Sequence, residues 1–219
     1  MEIVYEDNHI IVVNKEAGEI VQGDKTGDKP IVEMLKEYLK VKYDKRGNVF
    51  CGVVHRIDRP VAGLVVFART SKALSRLNEM LRKGEINKSY RALVEGKPSP
   101  SNGKLVDYLV NDGRINKTFL AEQSNPEAKR SELEYRTLKN GDRYSLLDVN
   151  LLTGRKHQIR AQLAALGNPI KGDLKYGARR SNPGGGISLQ SAFLSFIHPV
   201  SKKHLEFTAP PLPEFLPFL

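Results

Sequence analysis

The segment VVHRIDRPVAGLVVFART, residues 53–70, places a dense group of charged residues between two apolar runs. The apolar runs, residues 53–54 and 63–68, have the composition of strands that are buried on both faces. Between them lies HRIDR, residues 55–59, and the following Pro60 favours extended geometry at Arg59, where the first strand is predicted to end. We therefore predict that Asp58 lies on a short loop held between two buried strands.

A loop of this kind presents a reactive group with little freedom of movement. The guanidinium groups of Arg56 and Arg59 are expected to favour the ionised carboxylate of Asp58 and to lower its pKa. An ionised, fixed carboxylate suits a nucleophile or a general base and is poorly suited to act as a general acid. The alternative is a structural ion pair or a turn cap, which is the commoner role of such a residue.

Strands dominate the rest of the chain, and helices are scattered among them. Alternating and β-branched runs predict strands at residues 3–5, 10–13, 88–96, 105–110, 130–138, 144–152, 188–197 and 204–208. Helical periodicity predicts a helix from Pro30, a second after Ser71 that ends near Gly84, and a third that opens at Thr153-Gly154. The tail, PPLPEFLPFL, is too rich in proline for a helix and is expected to pack its Phe and Leu side chains on the body. This pattern predicts the α+β class and one catalytic unit.

The composition favours an anionic partner inside the cell. The 219 residues include 35 Lys and Arg against 25 Asp and Glu, a formal net charge of +10, so nucleic acid is favoured over acidic lipid. A single cysteine, Cys51, excludes an internal disulfide and a thiolate metal site. No secretory signal and no membrane-spanning run is evident, which indicates a soluble, cytoplasmic protein.

Several common chemistries lack their motifs. HRID is similar to part of the kinase catalytic loop, but no downstream Asn, Gly-rich nucleotide loop or Asp-Phe-Gly accompanies it. There is no GxxxxGK[ST] loop and no Ser-centred nucleophile elbow. The five histidines show neither HxxxH nor HExxH spacing, so a metal site is not expected.

A second group of polar residues occurs in LLTGRKHQIRAQLAALGNPIKGDLKYG, residues 151–177. On the predicted helix, Arg160 lies about 100° around the axis from Ile159, at the border of the buried stripe. Its guanidinium can reach into a cleft from that position while its stem packs. The alternative is a solvent-facing arginine on an amphipathic helix.

Together, HRIDRPVAGLVVFA, LLTGRKHQIR and GNPIKGDLKYG resemble the RluA-type pseudouridine synthases. The match extends to EDNHIIVVNKEAG, KSYRALVEG, LSFIHP and FTAPPLPEF, and it covers nearly the whole chain in the family's order. The resemblance implies a mixed, largely antiparallel bent sheet flanked by helices and loops, with a central active-site cleft. It implies a single catalytic domain over residues 1–219, without the N-terminal S4 RNA-binding module of many relatives.

The resemblance also implies an activity and its residues. Such enzymes convert uridine within an RNA chain to pseudouridine without a metal or cofactor. The family's catalytic aspartate falls on Asp58, its base-contacting tyrosine on Tyr90, and the arginine that pairs with the aspartate on Arg160. Arg56 matches the arginine that fills the gap left by the flipped base. The polar neighbours in the two motifs that are expected to contact RNA are His55, Arg59, Arg155 and His157.

Some positions depart from the family pattern. Val61-Ala62 stands where Thr-Ser is usual, Glu16 replaces a frequent proline, and Gln190-Ser191 stands where His-Ala is common. These changes affect local hydrogen bonds and leave the expected nucleophile in place. RNA affinity is expected to come from the basic surface of the catalytic domain and to be sensitive to salt.

The sequence leaves alternatives open. The RNA is a ribosomal or transfer RNA, the protein is expected to be a monomer, and Asp58 attacks either the ribose C1′ or the uracil C6. One rival is an RNA-binding or RNA-folding protein that has lost the chemistry, although Asp58, Tyr90 and Arg160 are all intact. A second rival is a hydrolase with Asp148 or Asp173 as a second carboxylate, but Asp173 is better explained as part of the Lys171-Gly172-Asp173 turn.

Overall fold

The computed structural model describes residues 1–24 and 26–219. The strands are β1 (Glu2–Glu6), β2 (Ile10–Lys15), β3 (Gly52–Val53), β4 (Ala62–Ala68), β5 (Asn87–Glu95), β6 (Asn102–Asp112), β7 (Lys117–Ala121), β8 (Lys129–Asn140), β9 (Tyr144–Leu151), β10 (Leu189–Ile197) and β11 (His204–Thr208). The helices are α1 (Ile31–Lys42), α2 (Ser71–Lys83) and α3 (Gln158–Ala165), with short 3-10 segments at Leu174–Tyr176 and Pro213–Phe218. Contacts divide the chain into an N-terminal unit, Met1–Asn87 with Ser191–Ala209, and a C-terminal unit, Lys88–Gln190 with Pro210–Leu219.

The sheet of the N-terminal unit is built around β2 and β4. Its strand order is β1-β2-β4-β10, with β11 added to β10 and the short β3 paired with β4. β2 and β4 are antiparallel from the pair Ile10 and Ala68 to the pair Lys15 and Gly63. Every residue of β4, and every residue of β2 except Asn14, is buried. The predicted burial on both faces is confirmed for residues 63–68. The first run differs, because Val53 is only half-buried and β3 ends there instead of near Arg59.

Both helices of this unit begin where the sequence predicts, and α2 also ends at the predicted residue. α1 starts after Pro30 and buries an apolar face on one side. α2 begins at a cap in which the hydroxyl of Thr70 accepts a hydrogen bond from the Ala73 N–H at 3.1 Å. It ends at Gly84, which has a φ of 73°. Leu77 of α2 is fully buried in a core cluster with residues of β2 and β4, so the helix fixes the sheet that carries the Asp58 loop.

One glycine is required by close packing at the start of β4. Gly63 has a φ of 113°, and a Cβ atom there would lie 2.7 Å from the backbone nitrogen of Ser191 on the neighbouring β10. The hydroxyl of Ser191 donates to the carbonyl of Leu64 at 3.1 Å. The two strands therefore approach too closely for any side chain at residue 63, and this contact fixes the strand that follows the Asp58 loop.

The C-terminal unit contains five strands in the order β5-β9-β8-β6-β7, and each neighbouring pair is antiparallel. β7 is missing from the predicted strands. It has only five residues and exposes Phe119 and Leu120, so it lacks the alternation that identifies a half-buried strand. Its position is set by pairing with β6 across the turn that follows Asp112.

The C-terminal tail packs on this unit as the sequence predicts. Phe215 is completely buried in a cluster with Leu93 and Leu146. The tail forms a 3-10 segment, with Pro213 at its start, and no α-helix. Antiparallel strands with few helices among the described residues confirm the predicted α+β class.

Candidate active site

The first group of predicted site residues lies on the connection between β3 and β4 in the N-terminal unit. The two strands are antiparallel, with Val53 opposite Phe67, so both ends of the connection are fixed. At its centre the carbonyl of Asp58 accepts a hydrogen bond from the Val61 N–H at 3.0 Å, which closes a tight turn. Ile57 is buried and Asp58 is half-buried. The buried side chain of Ile57 thus anchors the loop, and the carboxylate of Asp58 is the next side chain along it.

A buried lysine holds this loop to the turn after β2. The Lys15 side chain is 1% exposed, and its Nζ donates to the carbonyls of Glu16, Glu19 and Arg59 at 2.9, 2.9 and 3.1 Å. Burial lowers the pKa of Lys15 to about 8, and the carboxylates of Glu19 and Asp58 oppose that shift. The ammonium therefore fixes the backbone next to Asp58 and provides a positive charge within electrostatic reach of its carboxylate.

The other predicted residues of the loop have different surroundings. The exposed guanidinium of Arg59 forms an ion pair with Asp28, 2.6 Å from Nη2 to Oδ2, a partner that the sequence did not suggest. The buried ring of His55 accepts a hydrogen bond at Nε2 from the Val66 N–H of β4, at 3.3 Å. Arg56 is exposed. His55 and Arg59 therefore tie the loop to other parts of the unit, and the side chains of both Arg56 and Arg59 are accessible to solvent.

The second group lies between β9 and α3 in the C-terminal unit. The predicted helix start at Thr153-Gly154 is wrong, because His157 has a φ of 52° and α3 begins at Gln158. The side-chain oxygen of Gln158 accepts from the Arg155 N–H and from the Thr153 hydroxyl, both at 2.9 Å. Residues 153–157 thus form a turn that this amide closes. The exposed side chain of Arg155 and the buried ring of His157 both project from it.

Arg160, in the first turn of α3, forms a two-pronged ion pair with Asp173. The distances are 2.7 Å from Nε to Oδ2 and 2.8 Å from Nη2 to Oδ1. Arg160 is 5% exposed and Asp173 is 1% exposed. The backbone of Asp173 also closes its turn, because its N–H donates to Ile170 and its carbonyl accepts from Tyr176. The predicted role of Asp173 in the turn is confirmed for its backbone, whereas its carboxylate holds Arg160.

Tyr176 connects Arg160 with the β6–β7 hairpin. The guanidinium of Arg160 lies 4.9 Å from the centroid of the Tyr176 ring. The hydroxyl oxygen accepts from the Thr118 N–H of β7 at 2.8 Å and lies 2.9 Å from Nδ1 of His157. Burial raises the pKa of Tyr176, so the hydroxyl keeps its proton at neutral pH. The arginine therefore contacts a carboxylate and a ring whose hydroxyl is fixed by Thr118 and His157.

Tyr90 lies on β5 of the same unit, opposite Val149 of β9. Its side chain is 6% exposed, and Lys88 and Ala92 lie on the same face of the strand because side chains alternate. Pairing with β9 fixes the backbone at Tyr90. Asp148, considered above as a second carboxylate, lies on β9 opposite Arg91.

The described residues contain neither a cluster suited to a metal ion nor a membrane-spanning helix. In residues 1–24 and 26–219, no group of three or more His, Cys, Asp or Glu side chains is placed to hold a metal ion. Over the same residues, no helix has the length and apolar character needed to cross a membrane.

Three residues of the site were not identified as such from the sequence. Lys15 is a lysine at the end of an otherwise apolar, buried strand, and that position is a signal for a buried, satisfied cation. Asp173 and Tyr176 lie in the same quoted motif as Arg160, but their contacts join distant elements, so nothing in local spacing reveals them.

Known proteins are similar to this chain over most of its length. A family model described as RNA pseudouridylate synthase matches residues 9–165. The chain is 36% identical to ribosomal large subunit pseudouridine synthase D of Zymomonas mobilis, over 95% of this chain and 68% of that protein. It is 31% identical to the uncharacterized RNA pseudouridine synthase YlyB of Bacillus subtilis, over 98% of this chain and 70% of that protein. The solved structure of human RNA pseudouridylate synthase domain containing 4 has the same fold, with a TM-score of 0.81 at 22% identity, covering 98% of this chain and 90% of that one.

Proposed function

This chain belongs to the RNA pseudouridylate synthase family, and from that membership we propose that it isomerises uridine in ribosomal RNA with Asp58 as the nucleophile. The chain is accordingly an RNA pseudouridine synthase, an isomerase, and the inactive alternative has no support among its relatives. The observation that carries the assignment of Asp58 is the rigid loop, with a buried ammonium bonded to the adjacent carbonyl. Such a loop can present an ionised carboxylate in one position.

The chemistry requires access to a base that is normally stacked. The enzyme extrudes the target uridine, at a cost of a few kcal/mol in lost stacking and pairing. The Asp58 carboxylate then forms a covalent bond to either the ribose C1′ or the uracil C6, and this bond is broken again before the product leaves, so the free carboxylate is regenerated. The bond between C1′ and N1 breaks, a bond between C1′ and C5 forms, the proton on C5 is released, and N1 takes up a proton. No atom is gained or lost overall, so the product is an isomer of the substrate.

The remaining predicted site residues have supporting roles in this proposal. Tyr90 stacks on the extruded uracil, because a fixed aromatic ring suits an unstacked base. In this proposal the positive charge of Arg160 compensates the negative charge of the nucleophile during the reaction. Arg56, whose guanidinium is exposed, occupies the space that the base leaves. The residues proposed to contact the surrounding RNA are His55, Arg59, Arg155 and His157.

Large-subunit ribosomal RNA is the proposed substrate, with transfer RNA as the alternative. Several relatives at 31–36% identity are named ribosomal large subunit pseudouridine synthases C or D. The formal charge of +10 suits any RNA, and phosphate contacts should weaken steeply as salt rises. The names of the relatives therefore favour ribosomal RNA over transfer RNA, whereas the net charge does not distinguish between them.

The proposal extends to organisation and location. We infer that residues 1–219 act as one catalytic domain and that the protein works as a monomer. A substrate in ribosomal RNA also favours the cytoplasm as its location.

Lys15→Met is expected to lower the single-turnover rate about tenfold to 100-fold, because three carbonyls lose their donor and the loop that carries Asp58 loosens. The rate should be measured at saturating RNA, together with urea unfolding. The control is Lys40→Met, which makes the same change at an exposed position of α1 and should leave both values unchanged. A Lys15→Met variant with the wild-type rate would show that the hydrogen bonds from Lys15 to the three carbonyls are not needed for catalysis.

Tyr90→Leu and Tyr90→Phe distinguish the contribution of ring stacking from that of the hydroxyl group. Base–aromatic stacking contributes about 1–3 kcal/mol, so Tyr90→Leu should lose roughly five- to 150-fold in single-turnover efficiency. Tyr90→Phe keeps the ring, and any loss in this variant reports on the hydroxyl alone. Tyr108→Leu, on β6 of the same unit, is the control. Normal reaction of Tyr90→Leu would exclude stacking as the role of this residue.

Pseudouridine mapping on total RNA tests the proposed function. Cells with and without the gene are compared, and the deletion is complemented with the wild type or with Asp58→Asn. We expect at least one position in large-subunit ribosomal RNA to lose its pseudouridine and to regain it only with the wild type. Loss confined to transfer RNA would select the alternative substrate, and an unchanged map would reject both.

A further inference from the structure

Lys88, the second residue of β5, is a partly buried cation with no hydrogen-bond or ion-pair partner among the residues that the structure describes. Its side chain is of intermediate exposure, and burial alone lowers the pKa of its ammonium group. No hydrogen bond or ion pair joins this ammonium to any other residue within 1–24 and 26–219. A desolvated ammonium without acceptors is unfavourable, so this arrangement needs a reason.

Lys15, the other buried lysine, differs from Lys88 in its surroundings. Lys15 has three backbone carbonyls as acceptors, at 2.9, 2.9 and 3.1 Å. Lysines on the surface also have partners, such as Lys83 with Glu79 at 2.8 Å and Lys104 with Glu132 at 2.8 Å. Lys88 differs from these lysines because its ammonium is partly buried and has no acceptor among the described residues, so it is available for an anion from outside.

The position of Lys88 indicates which kind of anion can reach its ammonium group. Lys88 and Tyr90 are two residues apart on β5, so their side chains leave the same face of the strand at Cα atoms about 6.8 Å apart. Ser89 and Tyr90 are paired with Asn150 and Val149 of β9, which fixes this stretch of the strand. A group that stacks on Tyr90 therefore places whatever is covalently attached to it near the ammonium. For a nucleotide base, the attached group is a ribose between two phosphates.

We propose that Lys88 binds a phosphodiester group of the RNA, adjacent to the uridine that stacks on Tyr90. The proposal rests on the proposed function, because it takes Tyr90 as the contact of the extruded base. The chemistry is that of a point charge meeting an anionic oxygen, for which a lysine needs no fixed orientation. The bound phosphate supplies the acceptor that the chain does not, so the unfavourable burial of the free ammonium is relieved in the complex.

The test measures binding of Lys88→Gln to an unmodified transcript of large-subunit ribosomal RNA, in the Asp58→Asn background so that no product forms. We expect the Kd to rise about tenfold to 100-fold, and the slope of log K against log salt to decrease by about one. Lys88→Arg keeps the charge and should restore most of the affinity. Lys83→Gln removes a paired, exposed lysine of α2 and should leave the Kd within about twofold of the parent.

Two further measurements separate this role from others. Thermal unfolding of Lys88→Gln should occur at the wild-type temperature or above, because the substitution removes a buried charge without a partner. With Asp58 present and RNA saturating, the single-turnover rate of Lys88→Gln should stay within about threefold of wild type, since binding alone is weakened. A rate that collapses while the Kd is unchanged would overturn the phosphate assignment and place Lys88 in the chemical step.

Failure of the proposal is distinguishable from failure of the proposed function. An unchanged Kd and salt slope for Lys88→Gln, with a wild type that modifies the transcript, overturns the Lys88 assignment alone. If the wild type does not modify the transcript, the ribosomal substrate is rejected, and the same variants are compared on polyuridylate. An unchanged salt slope on polyuridylate then overturns the assignment, whereas a slope reduced by about one supports it.

Discussion

Asp58→Asn is expected to abolish pseudouridine formation while RNA affinity stays equal to that of the wild type or increases. The amide has the shape of the carboxylate but cannot form the covalent bond, and loss of a nucleophile lowers rates by about 10⁴-fold or more. Binding should not weaken, because the substitution removes a negative charge from a surface that meets a polyanion. Lys15 loses a carboxylate that opposes the lowering of its pKa, so its ammonium becomes less favourable in the variant.

The measurement is a single-turnover assay with enzyme in excess of RNA, next to a binding titration. Asp58→Ala is included because an amide can hydrolyse back to the acid and simulate residual activity. The control is Asp28→Asn, which removes an exposed carboxylate of the same unit that pairs with Arg59. This control should keep most of the activity. Turnover by Asp58→Ala within about 100-fold of wild type would rule out a nucleophilic role.

Much of the fold follows from local sequence, and the exceptions have a common cause. The buried strands β2 and β4 and the helix α2, with its cap at Thr70 and its stop at Gly84, are fixed by composition, period and capping. The start of α3 is not fixed by local sequence. Gln158 closes the preceding turn, and its side-chain nitrogen donates to the carbonyl of Glu132 on β8 at 2.9 Å. Strand β7 likewise depends on its pairing with β6. Contacts between distant segments decide these elements.

The site shows the same division. The proposed role of Asp58 follows from the position of its loop in the sequence, whereas its buried electrostatic neighbour, Lys15, cannot be recognised in that way. Lys15 lies opposite Gly63 only because β2 pairs with β4 in one register, and that register carries it beneath the loop. The sequence pointed to the neighbouring Arg59, whose guanidinium pairs with Asp28. Neighbours in sequence are therefore a poor guide to the charges that act on a buried or half-buried group.

Arg160→Ala is expected to lose both catalysis and stability, and for different reasons. The rate should fall about 10³-fold, the loss typical when a fixed positive or donor group is removed from a developing charge. The free energy of unfolding should fall by about 3–5 kcal/mol, because Asp173, at 1% exposure, is left as a buried carboxylate without this partner. A single substitution therefore cannot tell a catalytic arginine from a structural one.

The double variant Arg160→Met with Asp173→Leu resolves the two roles. Replacing both members of a buried ion pair with apolar side chains of similar size is often neutral or stabilising, so most of the lost stability should return. The rate should stay at the level of Arg160→Ala, because regaining stability does not replace the positive charge of the guanidinium. Asp173→Asn alone keeps the arginine and should lose about tenfold to 100-fold, because the guanidinium is no longer fixed by two bonds. Urea unfolding and single-turnover rates at a temperature where all variants are folded provide both readouts. If the double variant regained both the stability and the rate of the wild type, Arg160 would be a structural residue. The proposed role of its positive charge in the reaction would then be rejected.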